Sequence, residues 1–180
     1  MNEKIVQLRN GEILNIRQAS VHDAETVIKF VKAIGDETNN LTFSGSEFTN
    51  TIEEEEAILR DHAEKENQIF VLAFIDGEIA GQMNARASHK PRLRHACEIG
   101  ISTRKHHWGK GVATEVLTYL IEWAQANPII RKINLKANVS NKKAIALYER
   151  MGFQHEGVHK RDFYLHGEFE DSVSMGLIID

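Results

Sequence analysis

Two glycines one residue apart, Gly109 and Gly111, lie between an apolar run and an amphipathic one, and this junction constrains the fold more than any other feature. The apolar run, His95–Thr103, reads as a strand. The amphipathic run, Val112–Ala126, repeats its apolar residues at helical spacing. Glycines at such a junction let the backbone turn tightly from strand to helix. The amides of the loop and of the first helical turn then point outward without partners. They form a cradle for a phosphate, reinforced by the positive end of the helix dipole. Arg104, Lys105 and Lys110 add positive charge around it. An ordinary surface connection carrying cations fits the same residues, so the loop alone does not decide.

The rest of the chain alternates strands and helices over short connections. Ile13–Gln18 is a short strand. Ser20 with Asp23 makes a capping box ahead of a helix whose apolar residues are Ala24, Val27, Ile28, Val31 and Ile34, with Gly35 as its end. Asp36–Asn50 is polar and turn-rich, the best candidate for a mobile loop. Thr51 with Glu54 makes a second capping box, before a helix to about Lys65. The run Glu53–Glu56 suits a solvated helix N-terminus. Asp76-Gly77 between Phe70–Ile75 and Glu78–Met83 is a strong hairpin signal. Pro91 and its basic neighbours mark a loop. Lys132–Ala137 reads as a strand, and Asn141–Met151 as a helix capped by Gly152. Phe153–Leu165 and Phe169–Ile179 form a last strand pair around His166-Gly167. A mixed α/β sheet flanked by helices follows.

At 180 residues the size prior gives one domain, 1–180, with chain enough for a sizeable core. A hydrophobic content of 42% with only two prolines argues against wholesale disorder. The net charge of −4 disfavours a nucleic-acid binder, which normally carries a basic surplus. The single cysteine, Cys97, cannot form an internal disulfide and suits a reducing cytosol. No secretory signal is visible at Met1–Asn10, and no stretch approaches the ~20 apolar residues of a membrane helix. A cytoplasmic location and no membrane partner are therefore expected.

The segment Asn138–Phe153 settles the loop. With His106-His107-Trp108-Gly109-Lys110-Gly111 it closely resembles the GNAT superfamily of N-acetyltransferases, whose phosphate loop is Gln/Arg-x-x-Gly-x-Gly/Ala. That family's second signature is an Asn, an Ala, Leu-Tyr and Gly-Phe, here Asn141, Ala144, Leu147-Tyr148 and Gly152-Phe153. The two motifs span about a quarter of the chain in matching order and spacing. The resemblance implies a mostly antiparallel mixed sheet of about seven strands with about four helices. It also implies a sheet splayed between its fourth and fifth strands, holding acetyl-CoA as cosubstrate without a metal.

The resemblance also assigns roles. The cofactor pyrophosphate would rest on Trp108, Gly109, Lys110, Gly111, Val112 and Ala113, at the end of the strand closing with Thr103. His106 departs from the usual Gln/Arg. Ile99 and Ile101 would offer main-chain groups to the pantetheine arm, and Asn141 and Ala144 would contact it, although Asn141 also reads as a helix N-cap. Tyr148 matches the family's thiolate-protonating tyrosine; by periodicity alone it reads as a core tyrosine. Glu98, a carboxylate in an apolar strand on the face opposite Cys97, Ile99 and Ile101, reads as a base working through water or as a salt-bridged edge residue. Cys97 reads as a small core residue rather than a nucleophile.

His155-Glu156-Gly157-Val158-His159 spells the zinc-protease pattern His-Glu-x-x-His. That chemistry needs a helix to bring both histidines together. After the helix-capping Gly152 the segment reads as strand, where histidines four apart stand ~13 Å from each other, too far to share a metal. Acetyl transfer to a primary amine of a small molecule or a peptide or protein N-terminus is the reading that accounts for most residues. The tail from Gly152-Phe153 through Arg161, Gly167 and Asp171 to Met175 resembles the branch acting on ribosomal-protein N-termini, aminoglycosides, polyamines or small amines. A non-catalytic CoA-binding or regulatory module of the same fold is the alternative, and a nucleotide or phosphate-ligand enzyme using the same loop a third. Asp36–Asn50 and Tyr164–Asp171 are the expected acceptor-selecting loops, and the final strands would support a homodimer.

Overall fold

The structure, a computed structural model, describes residues 3–180. Its strands are β1 (Lys4–Gln7), β2 (Ile13–Gln18), β3 (Gln68–Ile75), β4 (Glu78–Ala87), β5 (Ala96–Thr103), β6 (Lys132–Asn138), β7 (Gln154–Leu165) and β8 (Glu168–Ile178). The helices are α1 (Ala24–Glu37), α2 (Ile52–Glu64), α3 (Val112–Ala126) and α4 (Lys142–Arg150). The strands form one sheet in the order β1-β2-β3-β4-β5-β6-β8-β7. Eight strands stand where about seven were expected. The addition is β1, which pairs antiparallel with β2 from Lys4↔Ile16 to Gln7↔Ile13 and is too short to show in the sequence pattern.

Local chemistry sets most element boundaries. Asp76 and Gly77 both adopt positive φ, 49° and 83°, as the hairpin between β3 and β4 requires. His166 and Gly167, at 51° and 88°, do the same between β7 and β8. The Thr51 backbone N–H donates to Glu54 Oε2 at 2.8 Å and the Glu54 N–H to Thr51 Oγ1 at 3.2 Å, which completes the capping box of α2. Ser20 and Asp23 form their box around a 3-10 turn, Val21–Asp23, that leads into α1.

Gly35 does not end α1, which continues to Glu37. Its missing side chain serves packing instead. A Cβ on Gly35 would lie 2.5 Å from the Gly45 nitrogen, and one on Gly45 would lie 2.3 Å from the Lys32 carbonyl oxygen. The 36–50 connection, expected to be mobile, is thus seated on α1. The Gly45 N–H donates to Asp36 Oδ1 at 3.0 Å, and Leu41, Phe43 and Phe48 pack onto the α1–α2 core.

The sheet is sandwiched between two cores. α3 and α4 cover one face with Val116, Leu117, Leu120, Ile145 and Tyr148, against Ile16, Val71, Met83, Cys97, Ile133 and Met175 of the strands. α1 and α2 cover the other face over β3, with Val27, Phe30, Val31, Ile34 and Leu59 on Phe70 and Leu72. Neither helix pair closes the middle. β5 and β6, the one parallel pair among the described residues, meet only at Ala96↔Lys132, Cys97↔Ile133 and Glu98↔Asn134. Beyond that they diverge. β5 stays paired to β4 as far as Thr103↔Gly81, and β6 to β8 as far as Asn138↔Ser172. The expected splay therefore lies between β5 and β6, and the main chain of Ile99–Thr103 and Leu135–Asn138 borders an open V.

Candidate active site

A cavity of about 1720 Å³ occupies the V. Its walls come from β4, β5, β6, α4, the 38–43 segment and the loop between β5 and α3. That loop is the glycine junction. After a 3-10 turn, Lys105–His107, the chain bends through Gly109 at φ 78° and Gly111 at φ 100°, both in the left-handed region that favours glycine. Gly111 is the N-cap of α3 and has no side chain to bond the helix amides. The first-turn amides of Val112, Ala113 and Thr114 are left facing the cavity end. A Cβ at Gly109 would meet nothing within 4 Å, and one at Gly111 only Leu8 Cδ2 at 3.8 Å. The space above the loop is therefore open, and its donors fit a phosphate group.

The cations around the loop are less free than the sequence suggests. Arg104 Nε donates to Glu37 Oε1 at 2.8 Å, and Lys110 Nζ to Glu12 Oε1 at 3.0 Å. Backbone amides and the helix dipole are thus free positive groups that the loop offers an anion. Trp108 Nε1 donates to the Thr103 carbonyl at 3.0 Å and pins the turn to the end of β5. His106, the residue matched to the Gln/Arg position, is exposed and outside the cavity wall; its neighbour His107 is buried and lines the wall. Burial, followed by the charges of His106 and Lys110, lowers the His107 pKa and favours the neutral ring.

With the exception of His106, every residue expected at the site borders this one cavity: Glu98, Ile99, Ile101 and Thr103 on β5, Trp108–Ala113 on the loop, and Asn141, Ala144 and Tyr148 around α4. Asn141 is the N-cap of α4, its Oδ1 accepting from the Ala144 N–H at 3.3 Å. Gly152, at φ 94°, closes α4, with the Phe153 N–H reaching back to the Tyr148 carbonyl at 3.0 Å. Phe153 then packs on the Tyr148 ring at 5.9 Å. Tyr148 is 7% exposed, and its hydroxyl makes no hydrogen bond among the described residues. Burial pushes its pKa up to about 12, so the phenol keeps its proton at neutral pH. Glu98 is exposed toward the cavity from the last paired position of β5 with β6, on the face opposite the buried Cys97 and Ile99. The Cys97 thiol is fully buried, and desolvation raises its pKa to about 12, which fits a core residue rather than a nucleophile.

The structure adds wall residues that the sequence reading passed over. β4 runs to Ala87 instead of Met83, and Gln82, Asn84 and Arg86 alternate with the core residues Met83, Ala85 and Ala87. That period of two was the available signal. Of the two expected acceptor loops, only the first contributes wall, through Thr38, Asn40, Leu41, Thr42 and Phe43; from the β7–β8 end the wall takes Asp162 and Phe163 instead of the hairpin itself. The His-Glu-x-x-His segment lies on β7. His155 Nε2 faces Glu149 Oε1 at 2.8 Å and His159 Nε2 faces Ser174 Oγ at 2.6 Å, so each ring serves a different partner.

Comparison with known proteins agrees with this geometry. The model of the Acetyltransferase (GNAT) family matches residues 36–153. The L-amino acid N-acetyltransferase AaaT of Escherichia coli is 29% identical over 108 residues, which span 60% of this chain and 67% of that protein. The ribosomal protein uS5-alanine N-acetyltransferase of Escherichia coli is 34% identical over 83 residues, 46% of this chain and 43% of its own length. Among solved structures, an acetyltransferase of the GNAT family from Streptococcus pneumoniae superimposes with a TM-score of 0.90 at 36% identity, covering 93% of this chain and 99% of that one. The open V, the glycine loop at its end and these matches agree: the chain belongs to the acetyltransferase (GNAT) family.

Proposed function

We propose that residues 1–180 form one catalytic domain that transfers acetyl directly from acetyl-CoA to a primary amine of a small molecule or of a peptide or protein N-terminus. One observation supports this above all. A single cavity joins a phosphate-binding loop, two unpaired strand edges, a protonated buried phenol and a carboxylate. The first-turn amides of α3 hold the pyrophosphate, and the free edges of β5 and β6 offer main-chain groups to the extended arm. The bound cofactor supplies an activated thioester. Glu98 accepts, through water, the proton that the ammonium must lose, and Tyr148 donates one to the departing thiolate. The relatives are named for different acceptors, an L-amino acid and an alanine of ribosomal protein uS5, so they favour amine chemistry without fixing the acceptor.

The protein works in the cytoplasm in this reading. Among the described residues no helix is long and apolar enough to cross a membrane. It assembles as a homodimer through the β7–β8 edge, where Val158, Tyr164 and Phe169 are exposed. Thiol release from acetyl-CoA across a panel of amines, beside calorimetric titration with CoA, tests the activity. Binding of CoA with no thiol release from any amine would identify a non-catalytic module instead.

A further inference from the structure

The cavity floor on the α1–α2 side is a polar strip that holding the cofactor leaves unused. β4 and β5 pair as Gln82↔Ser102, Asn84↔Gly100 and Arg86↔Glu98, so these residues share one face of the sheet. Gln68 extends the last row onto β3, opposite Arg86. Two carbonyl oxygens along this strip have no donor among the described residues: Oε1 of Gln82, a residue 9% exposed, and Oε1 of Gln68, 6% exposed. A buried acceptor left unpaired is costly, which makes the N–H groups of a ligand the natural partners.

The same strip carries a cation, Arg86, whose side chain is 66% exposed. The Arg86 guanidinium lies 3.7 Å from Asp61 and makes no hydrogen bond among the described residues. Lys65 Nζ holds Asp61 Oδ1 at 2.5 Å, and Asp61 Oδ2, the oxygen that faces Arg86, is buried without a hydrogen-bond partner among the described residues. Two cations therefore share one anion, and Lys65 and Arg86 both line the cavity. The cofactor's pyrophosphate does not account for them. From Thr103, beside the glycine loop, to Glu98 the extended strand covers ~17 Å.

Resting on the acetyltransferase reading of this cavity, we propose that the acceptor is a free α-amino acid. Its carboxylate engages Arg86 through paired N–H···O bonds, and its amine lies over Glu98 with an N–H toward Gln82 Oε1. A polyamine brings no carboxylate and meets the charges of Arg86 and Lys65. A peptide N-terminus presents an amide where the carboxylate would be.

The test uses the full chain, saturated with acetyl-CoA for rates and with CoA for binding. Thiol release and the rise in melting temperature are measured with the twenty L-amino acids, their α-carboxamides and spermidine. At least one amino acid is turned over and raises the melting temperature of the CoA complex, with its carboxamide weaker by about 10–100-fold, the value of a hydrogen-bonded charge. Arg86→Gln raises KM for the amino acid by a similar factor and removes the acid-over-amide preference; Arg86→Lys restores part of it. The melting shift given by CoA alone reports that each variant is folded. Carboxamides or spermidine serving as well as amino acids would overturn the proposal and leave acetyl transfer intact, as would an Arg86→Gln effect equal for acid and amide. Amino acids that raise the melting temperature through Arg86 without any thiol release would uphold the binding mode and refute catalysis.

Discussion

Replacing Tyr148 by Phe separates its proposed role in proton transfer from its place in the core. The ring is buried against Phe153 at 5.9 Å, and Phe keeps that packing. A buried, bonded hydroxyl normally contributes ~0.5–1.5 kcal/mol. The Tyr148 hydroxyl has no partner among the described residues and borders the cavity, so that contribution is missing and deleting it costs little stability. At ~2–4 °C per kcal/mol for a chain of this size, the melting temperature should stay within ~3 °C of wild type. The rate should behave differently. Loss of a general acid costs ~10²–10⁴-fold, about 2.7–5.5 kcal/mol of barrier. Because burial raises the phenol pKa to about 12, its stability contribution is present below the unfolded value of ~10 and is lost as pH rises through the folded value. The wild type should therefore lose more stability than the Phe variant between pH 10 and 12. Initial-rate thiol release, CoA titration and melting at pH 7.5 and 11 check all three. A kcat within threefold of wild type would refute the proton-donor role, and a melting temperature lowered by more than ~3 °C would refute the unpartnered hydroxyl.

Gly111→Val places a branched side chain at φ 100° and over the phosphate cradle; the variant should stay folded by circular dichroism while CoA affinity falls more than about 100-fold, and wild-type affinity by calorimetry would contradict the backbone cradle. Glu98→Gln removes the proposed base without changing its shape, so kcat at pH 7 should fall by ~10²–10⁴-fold and recover partly toward pH 9; an unchanged pH profile would make Glu98 structural. Burial raises the pKa of Glu55, whose Oε2 accepts from Asn50 Nδ2 at 3.0 Å, so its contribution is greatest below the unfolded carboxylate value and is lost as pH rises through the folded one. Glu55→Gln should therefore be more stable than wild type at pH 8, with the gap closing by pH 4, and urea unfolding showing it less stable at pH 8 would count against this account.

The parts of the fold that were legible are those set within a few residues. Asp76-Gly77 and His166-Gly167 specify hairpins because their backbone angles are local. Thr51 and Glu54 specify a helix start for the same reason. Gly35 was misread because its function depends on Gly45, ten positions on across a tertiary contact. The charges at the glycine loop were overcounted because their partners are remote, Glu37 at 67 residues from Arg104 and Glu12 at 98 from Lys110. That His107 and not His106 lines the cavity was not legible, because a motif fixes spacing while the 3-10 turn fixes which ring faces inward. The polar row of β4 was written in its alternation, but its meaning required knowing that α1 and α2 cover that face over β3 and leave this row on the cavity. The V itself was available only through family resemblance, since nothing in β5 or β6 announces that their pairing stops at Glu98↔Asn134.

Glu37 shows how the two halves of the cavity are held in register. It is the last residue of α1, and the wall segment beginning at Thr38 follows it directly. Its carboxylate accepts from Arg104 Nε at 2.8 Å and from the Lys105 backbone N–H at 2.7 Å, the residues that lead into the glycine loop. Burial works against the charged form, but these hydrogen bonds and the Arg104 charge outweigh it and hold the carboxyl below its ordinary range. The tie is therefore present above the unfolded carboxylate value and is lost only as pH falls through the lower, folded one. On the far side, Gly45 sits against the Lys32 carbonyl and donates to Asp36 Oδ1, so the 38–43 wall is fixed at both ends. The 38–43 wall and the glycine loop thus meet on one carboxylate. A rearrangement that frees the wall must break two charge-assisted bonds at the root of the loop.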